Sequence, residues 1–271
     1  MGLVASKNLG QHFLLNPTTI DQIVKKAGVK ATEQVLEIGP GPGVLTRRLA
    51  ETARRVIAVE KDERFAALLT KELETYKNLT IVGGDILDCS MEKLLGEGKW
   101  KVVANLPYNI ATEVIFHLLK TDFLFSAFYL MVQKEVAERL VALPGSRSYG
   151  LLSIFSQILC QNRIIMKLPP GAFTPPPKVS SAIVEFLIHE EPRFPIHHLP
   201  TFELVVQAAF SQRRKMIHNC LKSGLPDHPW DQMERAMRAA DISPNQRAEE
   251  ISIEKYVELA NNLFESQGSL A

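Results

Sequence analysis

The chain has little cysteine, and what it has shows no pairing pattern. Cys89, Cys160 and Cys220 are far apart, odd in number and form no CxxC pair. A disulfide framework and a thiolate metal site are therefore not expected; reduced thiols in a cytoplasmic protein are. Long apolar runs are missing too: no stretch reaches the roughly 18 residues that a membrane span needs, and no secretory signal opens the sequence. The first six residues, Met1-Gly2-Leu3-Val4-Ala5-Ser6, fit the N-myristoylation pattern, but that pattern is short and frequent by chance. Neither sign of charge is in excess. With a net charge of +1, no global field advertises a polyanionic partner, so a nucleic-acid surface has to come from local clustering of Lys and Arg. The histidines show no HExxH spacing and there is no GxSxG, so neither a metal nor a serine nucleophile is expected. Internal repeats and low-complexity tracts are absent as well.

What is present is enough apolar material, 46% of 271 residues, to fill one large domain or two unequal ones. Up to residue 188, short β-rich runs (35–38, 55–60, 79–82, 101–104 and 127–132) alternate with amphipathic stretches, as in an open α/β sheet. The spacing of Phe65, Leu68, Leu69 and Leu73 predicts a helix over 64–76. Two further runs, 163–168 and 182–188, are separated by Pro169-Pro170-Gly171 and Pro175-Pro176-Pro177, which can continue neither a helix nor a central strand. An antiparallel hairpin closing one sheet edge follows. Residues 189–200 carry three prolines and read as a linker; beyond them the pattern is helical. The expected organisation is a doubly wound α/β domain over 1–188 and a small all-helical domain over 201–271.

Leu36-Glu37-Ile38-Gly39-Pro40-Gly41-Pro42-Gly43 puts a glycine-rich turn between the first strand and a helix. Glycines such as Gly39 and Gly41 let backbone approach a ligand closely. Glu60, at the end of the next strand, is placed to accept from both ribose hydroxyls of a nucleoside-bearing cofactor. A dinucleotide fingerprint would need glycine at position 44, where Val44 stands. Glu37 suits a positively charged ligand, whereas a pyrophosphate would be repelled. The loop alone thus favours a methyltransferase over a dinucleotide enzyme or a purely structural turn, with all three open. Asp85, after the third strand, could take a cofactor's adenine amino group or simply cap the next segment.

After the fourth strand comes Asn105-Leu106-Pro107-Tyr108. The exocyclic amine of adenine is a poor nucleophile because its lone pair is delocalised into the ring. Two acceptors held against its N–H groups would localise that pair. The Asn105 side-chain carbonyl can be one, and the backbone carbonyl of Leu106 or Pro107 the other. Pro107 stiffens the turn so that the acceptors are fixed beforehand, and Tyr108 offers a face on which a base can stack. The tetrapeptide fits the (Asp/Asn)-x-Pro-(Tyr/Phe) pattern of amino methyltransferases, a strong signal after the fourth strand of a sheet that begins with ExGxGxG. Further on, residues 161–223 hold eight Lys/Arg against four Asp/Glu, with Arg213, Arg214 and Lys215 consecutive. Such a run is usually a solvated face.

These motifs, with Gly10-Gln11-His12-Phe13-Leu14, Gln133-Lys134-Glu135-Val136-Ala137, Tyr149-Gly150, 173–179 (FTPPPKV) and 210–215 (FSQRRK), run nearly the whole length of the chain. Together they resemble the KsgA/RsmA family of ribosomal RNA adenine dimethyltransferases. The resemblance implies a Rossmann-like S-adenosylmethionine methyltransferase sheet with a C-terminal helical RNA-binding domain. It also implies a substrate: two adjacent adenosines in the 3′-terminal hairpin of 16S rRNA in the small ribosomal subunit, each taken to the N6,N6-dimethyl form. Carried over, His12 and Leu14 would border the cofactor, Gly39 and Gly41 approach it, Glu60 hold its ribose and Asp85 its adenine. Asn105 would lie between cofactor and target amine, and Tyr108 and Phe173 would hold the extruded base. Arg213, Arg214 and Lys215 would meet RNA phosphates. His12 departs from the family's usual Asn; imidazole can replace an amide as donor or acceptor. A monomeric cytoplasmic enzyme acting in ribosome biogenesis, with no membrane partner, is the expectation. The rivals are a large-subunit rRNA methyltransferase of the antibiotic-resistance type and a non-catalytic assembly factor on the same fold. The Arg-Arg-Lys and Pro-Pro-Pro-Lys-Val segments weigh against the first, and the intact tetrapeptide against the second.

Overall fold

The computed structural model describes residues 11–212 and 214–268. The chain folds into two compact units, one holding the described residues up to Ala137 together with Cys160–Ile188, the other Glu138–Leu159 together with everything from His189 on.

In the first unit, β1 (Phe13–Leu14), α1 (Pro17–Lys26), β2 (Gln34–Ile38), α2 (Val44–Thr52), β3 (Arg55–Glu60), α3 (Glu63–Glu72), β4 (Leu79–Gly83), α4 (Met91–Leu95), β5 (Trp100–Asn105), α5 (Ala111–Leu119) and β6 (Phe125–Gln133) follow in order. The chain leaves through α6 (Lys134–Leu140) and α7 (Leu151–Leu159) and returns with β7 (Cys160–Leu168), β8 (Phe173–Thr174) and β9 (Ser181–Ile188). The main sheet runs β4-β3-β2-β5-β6-β9-β7. Strands β2 to β6 pair in parallel, and β9 lies antiparallel between β6 and β7. The expected hairpin is therefore present, with its second strand inside the sheet and its first at the edge. All five residues of β2 are buried, as a parallel strand covered by helices on both faces requires. The order reverses between β2 and β5, and ligands of such sheets sit outside the carboxyl ends of the strands at that point. Gly39, Glu60, Asp85 and Asn105 all fall at those ends.

Two local details depart from the sequence pattern. The helix over 64–76 stops at Glu72, because Leu73 leaves helical geometry and a tight turn to Tyr76 follows. A two-stranded ribbon, β1 with β8, pairs Phe13 with Thr174 and Leu14 with Phe173.

The second unit adds α8 (Leu199–Ala209), α9 (Ile217–Gly224), α10 (Trp230–Ala239) and α11 (Ile253–Gly268) to α7. Its boundary differs from the division at 188 and 201. Ile154 and Ile158 of α7 share one buried core with Phe202, Leu221, Met237 and Tyr256. Gln157 ties α7 to the end of α6 by donating to the Leu140 and Ala142 carbonyls at 3.0 and 2.9 Å. The proline-bearing segment is packed rather than a free connector. Phe194 is buried in the same core, and Asn261 of α11 donates to the Pro195 carbonyl at 2.7 Å and accepts from His197 N–H at 2.9 Å. Between α8 and α9, a Cβ on Gly224 would stand 2.7 Å from the Ala208 Cβ, so only glycine allows that approach. Among the described residues no helix is long and apolar enough to cross a membrane.

Candidate active site

An open cleft lies at the carboxyl ends of the parallel strands, lined by Gly39, Gly41, Glu60, Asp85, Asn105, Tyr108 and their neighbours. Gly39 and Gly41 hold φ of +67° and +52°, a region that side chains resist. A Cβ on Gly41 would stand 2.8 Å from the Phe13 ring, so β1 and the glycine turn can close together only because position 41 is bare.

Glu60 organises this turn. Its Oε2 accepts from Gly41 N–H at 2.9 Å and its Oε1 from Asp62 N–H at 2.8 Å. Burial raises its pKa, and those backbone bonds pull the other way. Each oxygen keeps a second lone pair for a ligand hydroxyl. Asp85 makes the cap, one of the two roles that the sequence left open. Its Oδ1 caps the short turn 86–88 by accepting from Leu87 N–H at 3.1 Å, while the residue also lines the cleft. Burial works to raise its pKa, but Lys61, 2.5 Å from Oδ2, and the Leu87 N–H hold it below the usual carboxylate range.

Beneath the turn, Glu37 is 1% exposed and borders a second cavity that shares Phe13, Gly39 and Asn105 with the first. Burial, then the Glu60 charge, raises its pKa to about 8, partly countered by the nearby Thr46 hydroxyl. Thr46 Oγ1 is not in hydrogen-bond geometry with it, and Glu37 Oε2 is left without a partner. A buried polar oxygen without a partner leaves room for a ligand's polar group close by.

The tetrapeptide is held from two sides. Asn105 Nδ2 donates to the His12 backbone carbonyl at 2.9 Å. A carbonyl can only accept, so this contact fixes which way the amide faces and leaves Oδ1 as the acceptor. Leu106 N–H donates to the Met131 carbonyl at 3.2 Å, and the Pro107 carbonyl accepts from Ile110 N–H at 3.2 Å. With Pro107's oxygen closing the turn, the Leu106 carbonyl is the better second acceptor of the pair. Tyr108 reaches Ser181 Oγ with its hydroxyl at 2.5 Å, and burial raises its pKa. The His12 ring stacks on Tyr108 with centroids 5.3 Å apart. Its Nδ1 carries the proton that it donates to the Pro175 carbonyl at 2.7 Å.

Not every expected residue joins this group. Leu14 borders the second cavity and not the main cleft. Phe173 does not line the cleft either; it is 3% exposed, in one core cluster with Met131, Leu168 and Ile183. Its strand pairs with Leu14, which turns the ring into the core. Arg214 and Lys215 are exposed in the helical unit, and Arg213 lies outside the described residues. Gln11, Phe13, Lys61, Ile86 and Ile110 line the cleft without having been singled out by sequence. Gln11 and Phe13 stand in a quoted segment, but nothing in its spacing says that the segment folds over a turn some 30 residues on.

Comparison with known proteins agrees with this geometry. The family model described as ribosomal RNA adenine dimethylase matches residues 3–265. A Geobacter sulfurreducens protein named ribosomal RNA small subunit methyltransferase A is 40% identical over 272 residues, covering 99% of both chains. A protein of the same name from Cereibacter sphaeroides is 44% identical over 97% of this chain and 93% of its own. Among solved structures, a dimethyladenosine transferase from Plasmodium falciparum superposes with a TM-score of 0.82 at 28% identity, covering 95% of this chain and 98% of that one. The 23S rRNA methyltransferase ErmE gives 0.71 at 27% identity over 93% and 99%. A match across nearly the whole chain, on the fold that carries the glycine turn and the tetrapeptide, means that the chain belongs to the ribosomal RNA adenine dimethylase family.

Proposed function

We propose that this protein dimethylates N6 of two adjacent adenosines in the 3′-terminal hairpin of 16S rRNA within the small ribosomal subunit. The observation that carries the reading is the Asn105 amide, locked by the His12 carbonyl so that Oδ1 is left to accept. With the Leu106 carbonyl it would bond both N–H groups of the target amine and return the lone pair to nitrogen, and being fixed in advance it needs no reorganisation during reaction. Tyr108 would stack the extruded base, with the His12 ring yielding that face.

The residues present fit S-adenosylmethionine, which would supply the methyl group. Gly39 and Gly41 leave room for backbone approach, Glu60 retains acceptor capacity for ribose hydroxyls, and the unpartnered Glu37 Oε2 lies beneath the same turn. Arg213, Arg214 and Lys215 would bind RNA phosphates from the helical unit.

The small-subunit substrate is supported by whole-length relatives of that name at 40% and 44% identity; the large-subunit reading has a fold likeness at 27%. Incubation with labelled S-adenosylmethionine and either undermethylated small subunits or protein-free large-subunit RNA decides between them. Label as N6,N6-dimethyladenosine in small subunits only is expected. Label in large-subunit RNA, unchanged when Arg213, Arg214 and Lys215 are reversed to Glu, would overturn it.

A further inference from the structure

The cleft lies at the carboxyl ends of the parallel strands, and the opposite edge of the same sheet carries an unusual set of cations. Arg54, Arg55 and Lys77 line one surface depression with Asn78 and Thr80, and no carboxylate borders it. Elsewhere in this unit arginines are neutralised. Arg47 pairs with Glu72, Arg48 with Asp21 and Glu51, Arg64 with Asp62, and Arg163 with Glu185. Among the described residues of the unit, Arg54 and Arg55 are the arginines with no such partner, and they are adjacent, exposed and share one depression. Lys77 likewise has no carboxylate; its Nζ reaches only the Glu74 backbone carbonyl, at 3.4 Å.

The floor of this depression is rigid. Asn78 donates to the Ala50 and Ala53 carbonyls at 2.8 and 2.9 Å, clamping the turn that leads into Arg54. Arg54 N–H donates to the Glu33 carbonyl at 2.9 Å. The Glu33 carboxylate, the acid nearest this backbone contact, is already taken by Lys101 at 2.9 Å and by Lys30 N–H at 2.8 Å. The Arg55 guanidinium leans on the Trp100 ring, 5.4 Å from its centroid. A chain with a net charge of +1 has no general surplus of cations to scatter here.

We infer that the amino-terminal edge of the sheet is a second phosphate-binding surface, which grips the ribosomal RNA backbone at a point remote from the methylated base. The inference rests on the rRNA reading above. Planar guanidiniums without protein partners bind phosphate oxygens in pairs, and the absence of carboxylates leaves nothing to compete. Arg55 and Glu60 stand at opposite ends of β3, which at about 3.3 Å per residue separates the surface from the cofactor turn by roughly 16 Å. A large folded RNA can reach both places at once; a short hairpin seated in the cleft cannot.

The test uses the full-length protein with Arg54→Glu/Lys77→Glu, sparing Arg55 because it packs on buried Trp100. Arg54→Gln/Lys77→Gln serves as a milder pair should reversal impair folding, and Lys93→Glu/Lys120→Glu controls for bulk charge. Binding to small subunits is measured across salt, with methylation of small subunits and of a short hairpin alongside. The expected result is affinity for small subunits lower by roughly fivefold or more, and a salt slope reduced by about 0.7–0.9 per lost contact. Cofactor affinity and hairpin methylation should be unchanged, and the control pair should keep the wild-type slope. If the wild type methylates small subunits but Arg54→Glu/Lys77→Glu keeps its slope, or the control pair loses as much, the inference fails and the proposed function stands. If the wild type does not methylate small subunits at all, the proposed function fails instead.

Discussion

The family resemblance gives Tyr108 and Phe173 the same task, holding an extruded base, yet the structure gives them opposite surroundings. Tyr108 stands in the cleft wall, tied to Ser181 and stacked by His12. Phe173 is buried beneath the β1–β8 ribbon with Leu168 and Ile183. The tetrapeptide loop thus holds its ring in the cleft wall, whereas the proline-rich loop holds its ring in the core. On the proposed reading Tyr108 is placed to meet a base, and Phe173, in the core, is not.

The largest expected effect tests that contrast head on. Phe173→Ala should lower stability by about 3–5 kcal/mol, the range for truncating a buried aromatic, read as a fall in the urea midpoint. Tyr108→Ala, at a half-buried ring bonded to Ser181, should lower the midpoint by less and weaken use of RNA by stacking worth about 1–3 kcal/mol. Equal stability losses in the two variants would erase the distinction between the loops.

A second, smaller effect concerns the buried carboxyl beneath the glycine turn. Folding raises the Glu37 carboxyl from 4.5 to about 8, chiefly through burial. The folded protein therefore keeps a proton that the unfolded chain loses. This residue's contribution to stability is full below about pH 4.5 and is lost progressively as pH rises toward about 8. Glu37→Gln, which cannot ionise, should match the wild type at low pH and exceed it by a few kcal/mol, to order of magnitude, at pH 8. Urea titrations at both ends of that window suffice, and an advantage that shrinks as pH rises would contradict the burial argument.

The smallest effect is at Asp85, whose carboxylate is already engaged by Lys61 and Leu87 N–H. Asn can keep the cap and an acceptor, so Asp85→Asn should change S-adenosylmethionine affinity by only a few-fold, roughly 1 kcal/mol or less by calorimetry. A loss of a hundredfold would move Asp85 from the rim of the site to its centre.

These outcomes bear on what a sequence can disclose. The glycine turn, Glu60 and the tetrapeptide were legible because each is local: a strand, a bend and a short run of residue types with one chemical use. The strands at 55–60 and 182–188 were legible for the same reason. The His12–Asn105 contact spans 93 residues, and nothing in either segment points to the other. The β1–β8 ribbon has two residues per strand, too few for alternation to register, and with it went the burial of Phe173. The helices at 138–159 read as more of the α/β alternation because their apolar spacing does not say which core they serve. Only Gln157, Ile154 and Ile158, seen in place, do so.

The Asn105 amide carries the proposed chemistry, and single-turnover methylation of small subunits at saturating labelled S-adenosylmethionine tests its role most directly. Removing one preorganised acceptor of this kind costs about 2.7–4 kcal/mol in the transition state. Asn105→Ala should therefore bind the cofactor within a few-fold of the wild type and transfer methyl at least about 100-fold more slowly. A near-normal rate in that variant would remove the amide from the mechanism and contradict the reading of the site.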